Sequence, residues 1–150
     1  MNIHFLYGSE TGSAEILCED IRDELNLDCT IDGLDAVKPG DLNGETFYIF
    51  ISSTYGNGDL PSMAQPFADA MEADKPDLSH VQFAIFGLGD MVFAETFNNG
   101  SKQLMEMLVA AGAKMVGERG IYDASSSDMP EDVGVPWAQG IFERLRAAAA

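Results

Sequence analysis

The sequence is poor in basic residues. Only 8 Lys and Arg stand against 25 Asp and Glu, which gives a formal net charge of -17. Such a chain cannot assemble the basic patch that neutralises the phosphates of DNA or RNA, and its charge also disfavours anionic membrane surfaces. We therefore predict no nucleic-acid or membrane partner. A basic-faced protein partner is compatible with the charge, although charge alone favours a simpler interpretation, which is solubility.

Long apolar runs, metal-type clusters and paired cysteines are also absent. No stretch approaches the length needed to cross a bilayer, and the opening MNIHFLYG lacks the features of a secretory signal peptide, so we expect a cytoplasmic protein. Cys18 and Cys29 are not in a CxxC arrangement, and two buried thiols are expected. His4 and His80 belong to no cluster with metal-ligand spacing, so no metal site is predicted.

Short apolar runs alternate with amphipathic segments along the chain. Leu17, Ile21 and Leu25, for example, share one face of a predicted helix. We expect five strands and four helices, the strands at 2–7, 27–35, 46–53, 81–89 and 114–124, and the helices at 12–25, 61–73, 98–113 and 131–150. This alternation favours a parallel α/β sheet with helices on both faces. Without a repeat or a linker, 1–150 is expected to form one domain.

Three loops are the richest in glycine, hydroxyl and aromatic residues: YGSETGSA, SSTYGNGDLP and GLGDMVFAETFNNG. They follow strands one, three and four, and ligands of such sheets bind beyond the carboxyl ends of the strands. The first loop leads into a helix, whose N-terminal N–H groups can hold a phosphate. Ser9, Thr11 and Ser13 add hydroxyl donors, and Gly12 permits close approach. The loop is neither a P-loop nor GxGxxG, and a helix capped by Ser9 or Thr11 explains it equally well.

Aromatic residues mark the other two loops. Tyr55 follows the third strand, and Phe93 and Phe97 follow the fourth. A loop aromatic can stack on a flat ring, so aromatics from two adjacent loops beside a phosphate site suggest a planar ring system that carries a phosphate. Taken singly, each aromatic is more simply explained as a cover for the sheet edge.

Together, GSETGSAE, SSTYGNGDLP and GLGD...FNNG resemble the three FMN-binding loops of flavodoxins. They are most similar to short-chain flavodoxins and to the flavodoxin-like modules of diflavin reductases, and the resemblance runs from Ile3 to Trp137. It implies a doubly wound, five-stranded parallel sheet of order 2-1-3-4-5, for which flavodoxin is itself a standard example. The cofactor that it implies is FMN, whose phosphate is then the anion of the first loop.

The resemblance implies three groups of cofactor-binding residues. The phosphate would be held, mainly through backbone N–H groups, by Ser9, Glu10, Thr11, Gly12, Ser13 and Ala14. One side of the isoalloxazine would be lined by Ser53, Thr54, Tyr55, Gly56, Asn57 and Gly58. The other side would be bordered by Leu88, Gly89, Asp90, Phe93, Phe97 and Asn98. Asp123, after the last strand, would be an outer contact.

Two positions depart from the pattern of the family. Glu10 stands where relatives often have a neutral residue, so we expect its side chain to turn to solvent while its N–H serves the phosphate. Tyr55 is expected to stack on one flavin face and Phe93, where relatives usually have Tyr, on the other. The spacing from Phe93 to Phe97 is one residue longer than in diflavin modules, which leaves the second stacking position open by about one residue.

The function that the resemblance implies is that of a monomeric one-electron carrier, not of an enzyme with its own substrate. Its donor would be a ferredoxin- or flavodoxin-NADP reductase type protein, and its acceptor another redox enzyme, each docked transiently. The turn at 55–58 would reorient a peptide carbonyl toward the flavin N5 atom and so stabilise the neutral semiquinone. No catalytic acid, base or nucleophile is indicated by the sequence.

Three alternatives stay open. An FMN-dependent NAD(P)H:quinone oxidoreductase would use the same loops, although no extra element for nicotinamide is visible. A phospho-acceptor receiver domain shares the fold, but it needs acids where strands one and three end, and those places hold Tyr7-Gly8 and Ser52-Ser53. A flavodoxin-like module that binds partners without FMN is the third, against which the three intact loops argue.

Overall fold

A parallel sheet lies at the centre of the protein. The structure, a computed structural model, describes residues 2–9, 12–53, 60–89 and 99–149. The strands are β1 (Asn2–Gly8), β2 (Thr30–Gly33), β3 (Thr46–Ser53), β4 (Gln82–Gly89), β5 (Lys114–Met115) and β6 (Gly120–Asp123). The helices are α1 (Ser13–Leu25), α2 (Gln65–Asp74), α3 (Asn99–Ala110) and α4 (Pro130–Ala149).

The strand order confirms the predicted fold class. All strand pairs are parallel, in the order β2-β1-β3-β4-β5, and β6 also pairs with β4. The expected strand over 114–124 is wrong as a continuous element, because β5 and β6 share its length and pair separately with β4. The break falls at Gly117, whose φ of 73° belongs to the left-handed region, and such a residue does not continue a strand.

Three other predicted boundaries were too wide. Strand β2 is shorter than 27–35 and runs into a 3-10 turn at Leu34–Ala36. Helix α2 begins at Gln65 instead of 61, with Pro66 in its first turn, where no intrahelical N–H bond is needed. Helix α3 ends at Ala110 because Gly112 has a φ of 99°. The next N–H, of Ala113, returns to the Leu108 carbonyl at 3.0 Å, which is the usual pattern of a helix that ends on a left-handed glycine.

Each face of the sheet carries an apolar core. Helices α2 and α3 cover one face, where Phe67 and Leu104 pack with Phe50. Helices α1 and α4 cover the other, where Ile21 and Phe142 pack with strand residues. Strand β3 is buried along its whole length, as its continuous apolar run predicted.

Within the described ranges, the two cysteines form no disulfide and the two histidines belong to no metal-binding cluster. Cys18 is fully buried, and this burial raises the pKa of its thiol. Cys29 is only half-buried, so the prediction of two buried thiols was wrong for this residue, which lies just before the short edge strand β2. His4 Nε2 lies 2.8 Å from Asp32 Oδ2, and His80 Nε2 lies 3.1 Å from the Leu42 carbonyl oxygen.

The described residues contain neither a cluster for a metal ion nor a helix that could span a membrane. Within residues 2–9, 12–53, 60–89 and 99–149, no set of three or more His, Cys, Asp or Glu could hold a metal ion. Over the same residues, no helix combines the length and the apolar character that a membrane span requires.

Gly120 at the start of β6 offers a test of the packing between the sheet and α4. A Cβ added there would overlap the Phe86 ring and lie 2.8 Å from Trp137 ring atoms, two side chains whose ring centroids are 5.2 Å apart. We expect Gly120→Ala to lower the free energy of unfolding by about 1–3 kcal/mol, measured by urea denaturation. Gly140→Ala is the matched control, because a Cβ at that helical position meets nothing within 4 Å and should stabilise the helix by about 0.5–1 kcal/mol. Equal effects of the two substitutions would contradict this account.

Candidate functional site

The register of the sheet brings four strand ends to one edge. Ser53 at the end of β3 pairs with Leu88, and Gly89 at the end of β4 pairs with Asp123 of β6. Gly8, the last residue of β1, pairs with the residue just before Ser53. The carboxyl ends of β1, β3, β4 and β6 therefore lie side by side, as a ligand site at that edge requires.

The loop after β1 is organised by Ser9. Its Oγ accepts the Gly12 N–H at 3.1 Å and lies 3.4 Å from the Ser13 Oγ. Gly12 occupies the N-cap position of α1 itself, so the interpretation of Ser9 or Thr11 as the N-cap was wrong for Ser9, and Thr11 lies outside the described residues together with Glu10. No side chain among the described residues caps this helix terminus.

Gly12 is suited to close approach by a ligand. Its φ of 84° is in the left-handed region, which disfavours other residues, and a Cβ there would meet nothing within 4 Å. Ala14, the second residue of α1, is fully buried. The first turn of α1 thus presents backbone N–H groups and a partial positive charge at the sheet edge, with small residues around them.

Met63 contacts this loop in a way that no sequence pattern indicates. The Ser9 N–H points to the Met63 Sδ at 3.2 Å, across 54 residues of chain. A Cβ on Gly33 would lie 2.8 Å from the Met63 methyl carbon, so the absence of a side chain at Gly33 gives the thioether its place. Met63, which lies just before α2, thereby contacts the residue that follows β1.

Tyr7 and Glu15 form a second contact that the sequence did not reveal. The Tyr7 hydroxyl donates to the Glu15 Oε2 at 3.0 Å, which links the end of β1 to the first turn of α1. Burial, followed by this hydrogen bond and by the negative charges of Glu15 and Asp35, raises the pKa of Tyr7 to about 12. The hydroxyl therefore stays protonated, and remains a donor, throughout the physiological range.

Ser53 carries a buried polar atom without a partner. Its Oγ is shielded from solvent, and no hydrogen bond to it is found in the part of the chain that the structure describes. The neighbouring Ser52, which is fully buried, donates its Oγ–H to the Ser53 carbonyl at 3.2 Å. An unpaired buried hydroxyl costs about 1–3 kcal/mol, so its presence at this edge points to a ligand that supplies the missing bond. The predicted lining residues Thr54, Tyr55, Gly56, Asn57 and Gly58 lie outside the described residues.

The end of β4 supplies backbone rather than side chains to the edge. The Leu88 side chain is buried in the core covered by α1 and α4, and the Gly89 carbonyl accepts the Ala124 N–H at 2.7 Å. The remaining predicted residues of this group, Asp90, Phe93, Phe97 and Asn98, lie outside the described residues.

Asp123 lies at the edge, as predicted, but its carboxylate is engaged locally. Its Oδ1 accepts the Ser125 N–H at 2.9 Å and the Ser125 hydroxyl at 2.7 Å, an arrangement that holds the turn after β6. Further carboxylates lie nearby. Burial raises the pKa of the adjacent Tyr122, and so do the charges of Glu131, Asp123, Asp128 and Asp132.

Comparison with known proteins decides the family. A family model for flavodoxin matches residues 5–137. The chain belongs to the flavodoxin family. FMN is accordingly its cofactor, and the described residues fit that group: the helix terminus at Gly12 offers N–H donors for a phosphate, and the unpaired Ser53 hydroxyl lies at the same edge.

Relatives of this flavodoxin include both small proteins and modules of larger ones. Protein MioC from Escherichia coli strain K12 is 34% identical over 137 residues, covering 91% of this chain and 92% of MioC. NADPH-dependent diflavin oxidoreductase 1 from Emericella nidulans is 34% identical over 146 residues, but the match covers 93% of this chain and only 22% of that protein. Among solved structures, a cysteine-to-serine mutant of flavodoxin from Pseudomonas aeruginosa superposes with a TM-score of 0.82 at 26% identity, covering 97% of this chain and 99% of that one.

The unpaired Ser53 hydroxyl generates a test of the site. We expect Ser53→Ala to weaken FMN binding about fivefold, measured by quenching of flavin fluorescence, because a bond to the cofactor is lost. The free energy of unfolding of the cofactor-free protein should stay unchanged or rise by about 1 kcal/mol, because an unpaired buried hydroxyl is removed.

Ser52→Ala is the matched control for that substitution. Its hydroxyl already has an internal acceptor, so the loss should destabilise the cofactor-free protein by about 1 kcal/mol. If Ser53→Ala destabilises the cofactor-free protein as much and leaves FMN affinity intact, the Ser53 hydroxyl is structural and does not contact the cofactor.

Proposed function

We propose that this flavodoxin is a one-electron carrier, which takes electrons from a flavin reductase and passes them to an acceptor redox enzyme. The observation that carries the proposal is the presence, at one sheet edge, of a helix terminus and a buried hydroxyl that find no side-chain cap and no hydrogen-bond partner among the described residues. Both features are what a phosphorylated cofactor would complete.

Bound FMN supplies the redox chemistry, and the protein supplies binding, orientation and the electrostatic environment. In this proposal, backbone N–H groups over residues 9–14 hold the phosphate, while Ser53 and the segment 54–58 line one side of the ring. Tyr55 and Phe93 stack on its two faces, and the segments that follow Gly89 and Asp123 close the other side. These roles keep the cofactor at the end of the sheet, where a partner can approach it.

The negative charge of the protein favours electron donation by the reduced cofactor. The chain carries a net charge of -17, and the carboxylates near Tyr122 lie on the same side as the end of β6. Negative charge near the cofactor disfavours any further negative charge on it, which makes the reduced carrier a stronger reductant. The same carboxylates provide a surface for weak and transient docking to a basic-faced partner.

The names of related proteins support a reductase as donor. NADPH-dependent diflavin oxidoreductase 1 of Emericella nidulans contains a stretch 34% identical to this chain, and NADPH–cytochrome P450 reductase of Saccharomyces cerevisiae contains one that is 33% identical over 151 residues. Both names join NADPH to a redox protein. In those proteins the matched stretch is 22% of the whole, so a separate protein would have to supply the remaining parts for this chain.

An absorption spectrum of the purified protein, repeated during anaerobic photoreduction, tests the proposed function. We expect flavin bands, and then a transient broad long-wavelength band together with a radical signal in electron paramagnetic resonance, because reduction proceeds one electron at a time. Bleaching in a single two-electron step would contradict a one-electron carrier and favour the NAD(P)H:quinone oxidoreductase. A colourless protein that takes up no added FMN would leave a partner-binding module.

Docking by charge makes a separate prediction. The rate of reduction by a basic-faced flavodoxin-NADP reductase should fall about tenfold between low and moderate ionic strength, because salt screens the attraction that steers the two proteins together. Stopped-flow spectroscopy of the flavin bands measures this rate. A small neutral reductant is the control, and its rate should not change with salt. A reductase rate that is equally insensitive to salt would contradict docking through the acidic surface.

A further inference from the structure

Glu15 occupies a position from which a carboxylate usually reaches the N-terminus of its own helix. With Gly12 as the N-cap, Glu15 is the third residue of α1. A glutamate at that position commonly folds back and accepts the N–H of the N-cap residue, as part of a capping box. In this chain such a conformation would put a carboxylate among the N–H groups that face the sheet edge.

Two hydrogen bonds in the structure hold these groups in a different arrangement. The Gly12 N–H, which the folded-back carboxylate would need, donates instead to the Ser9 Oγ at 3.1 Å. The Glu15 Oε2 accepts the Tyr7 hydroxyl at 3.0 Å, so the carboxylate is held beside the end of β1. Tyr7 belongs to the sheet, whose pairing on both sides of β1 fixes the position of its backbone.

The consequence concerns charge at the phosphate position. A Glu15 carboxylate released from Tyr7 and turned toward the N–H donors of the helix terminus would repel a phosphate bound there, since both are anions. Held by Tyr7, the carboxylate keeps its charge but leaves these donors to the ligand. The Tyr7 hydroxyl is suited to this role because a tyrosine is protonated at neutral pH and can donate, here to the Glu15 Oε2 at 3.0 Å.

We propose that Tyr7 is a positioning residue that holds the Glu15 carboxylate away from the phosphate-binding N–H groups, and that this contact sets the preference of the site for FMN over riboflavin. The inference rests on the proposed placement of the phosphate at the N-terminus of α1. The proposed contact acts on the phosphate and neither on the flavin ring nor on electron transfer. Its loss should therefore change the affinity for FMN and leave the affinity for riboflavin unchanged.

The test is a double-mutant cycle of Tyr7 and Glu15. For each variant, the Kd values of the cofactor-free protein for FMN and for riboflavin are measured. We expect Tyr7→Phe to raise the Kd for FMN about tenfold and to leave the Kd for riboflavin unchanged, because only FMN carries the phosphate. Glu15→Ala should bind FMN at least as tightly as the wild type. In the double variant, loss of the hydroxyl should have no further effect, because no carboxylate remains to be held.

Tyr48→Phe is the matched control for removal of a tyrosine hydroxyl. Tyr48 lies on β3, and its hydroxyl accepts the Asn43 N–H at 2.9 Å, near the opposite end of the sheet. It should change the Kd of neither flavin. Urea denaturation of each cofactor-free variant establishes that it is folded before its binding is compared.

Two other outcomes would contradict the positioning role of Tyr7, and one of them would also contradict the proposed phosphate site. If Tyr7→Phe weakens FMN and riboflavin equally, or weakens FMN just as much in the Glu15→Ala background, then Tyr7 acts on the fold and the positioning role is wrong. If the wild-type protein binds riboflavin as tightly as FMN, the phosphate site of the proposed function fails, and the positioning role fails with it.

Discussion

The site depends first on the pairing of β3 with its neighbours. Every residue of β3 is buried, and its pairs with β1 and β4 run without a break to the ends of the strands. Because side chains alternate between the faces of a sheet, a slip of one residue would move each core residue of β3 to the opposite face. The same slip would shift Ser53 relative to the helix terminus after β1. The burial of β3 therefore fixes the position of the edge as well as the fold.

The parts of the fold that were predictable are those set by local pattern. Strands β3 and β4 are continuous apolar runs, and α1 shows its buried face through Leu17 and Ile21. The region 114–124 was predicted as one weak strand interrupted by its two glycines, and its local pattern does not show that it forms two strands that pair separately with β4. The break falls at Gly117, and the ring of Trp137 from α4 lies against Gly120, where β6 begins. Contacts between distant elements set such boundaries, and hydrophobic periodicity does not contain them.

The candidate site divides in the same way. The positions of Ser9, Gly12 and Ser53 at the sheet edge follow from strand ends and loop composition, and the sequence predicted them. The hydrogen-bond partners of their polar atoms could not be predicted from the sequence. Whether the Ser53 hydroxyl has a partner depends on every group around it, and the acceptor of the Ser9 N–H is a thioether 54 residues away. Hydrogen bonds between distant residues leave no periodic signal.

In a chain of net charge -17, a bound phosphate is repelled by the overall charge of the protein, and the loop after β1 contains no Lys or Arg to offset that repulsion. In the proposed site, backbone N–H groups at the N-terminus of α1 provide the attraction, but such groups also attract the carboxylates of the chain. Two carboxylates that the structure describes at this edge have hydrogen-bond partners: Glu15 has the Tyr7 hydroxyl, and Asp123 has the Ser125 N–H and hydroxyl. Such bonds leave each carboxylate charged and fix where its charge lies. An acidic protein can therefore keep the surface charge that favours a basic partner and still bind an anionic cofactor, provided that neutral donors hold its carboxylates.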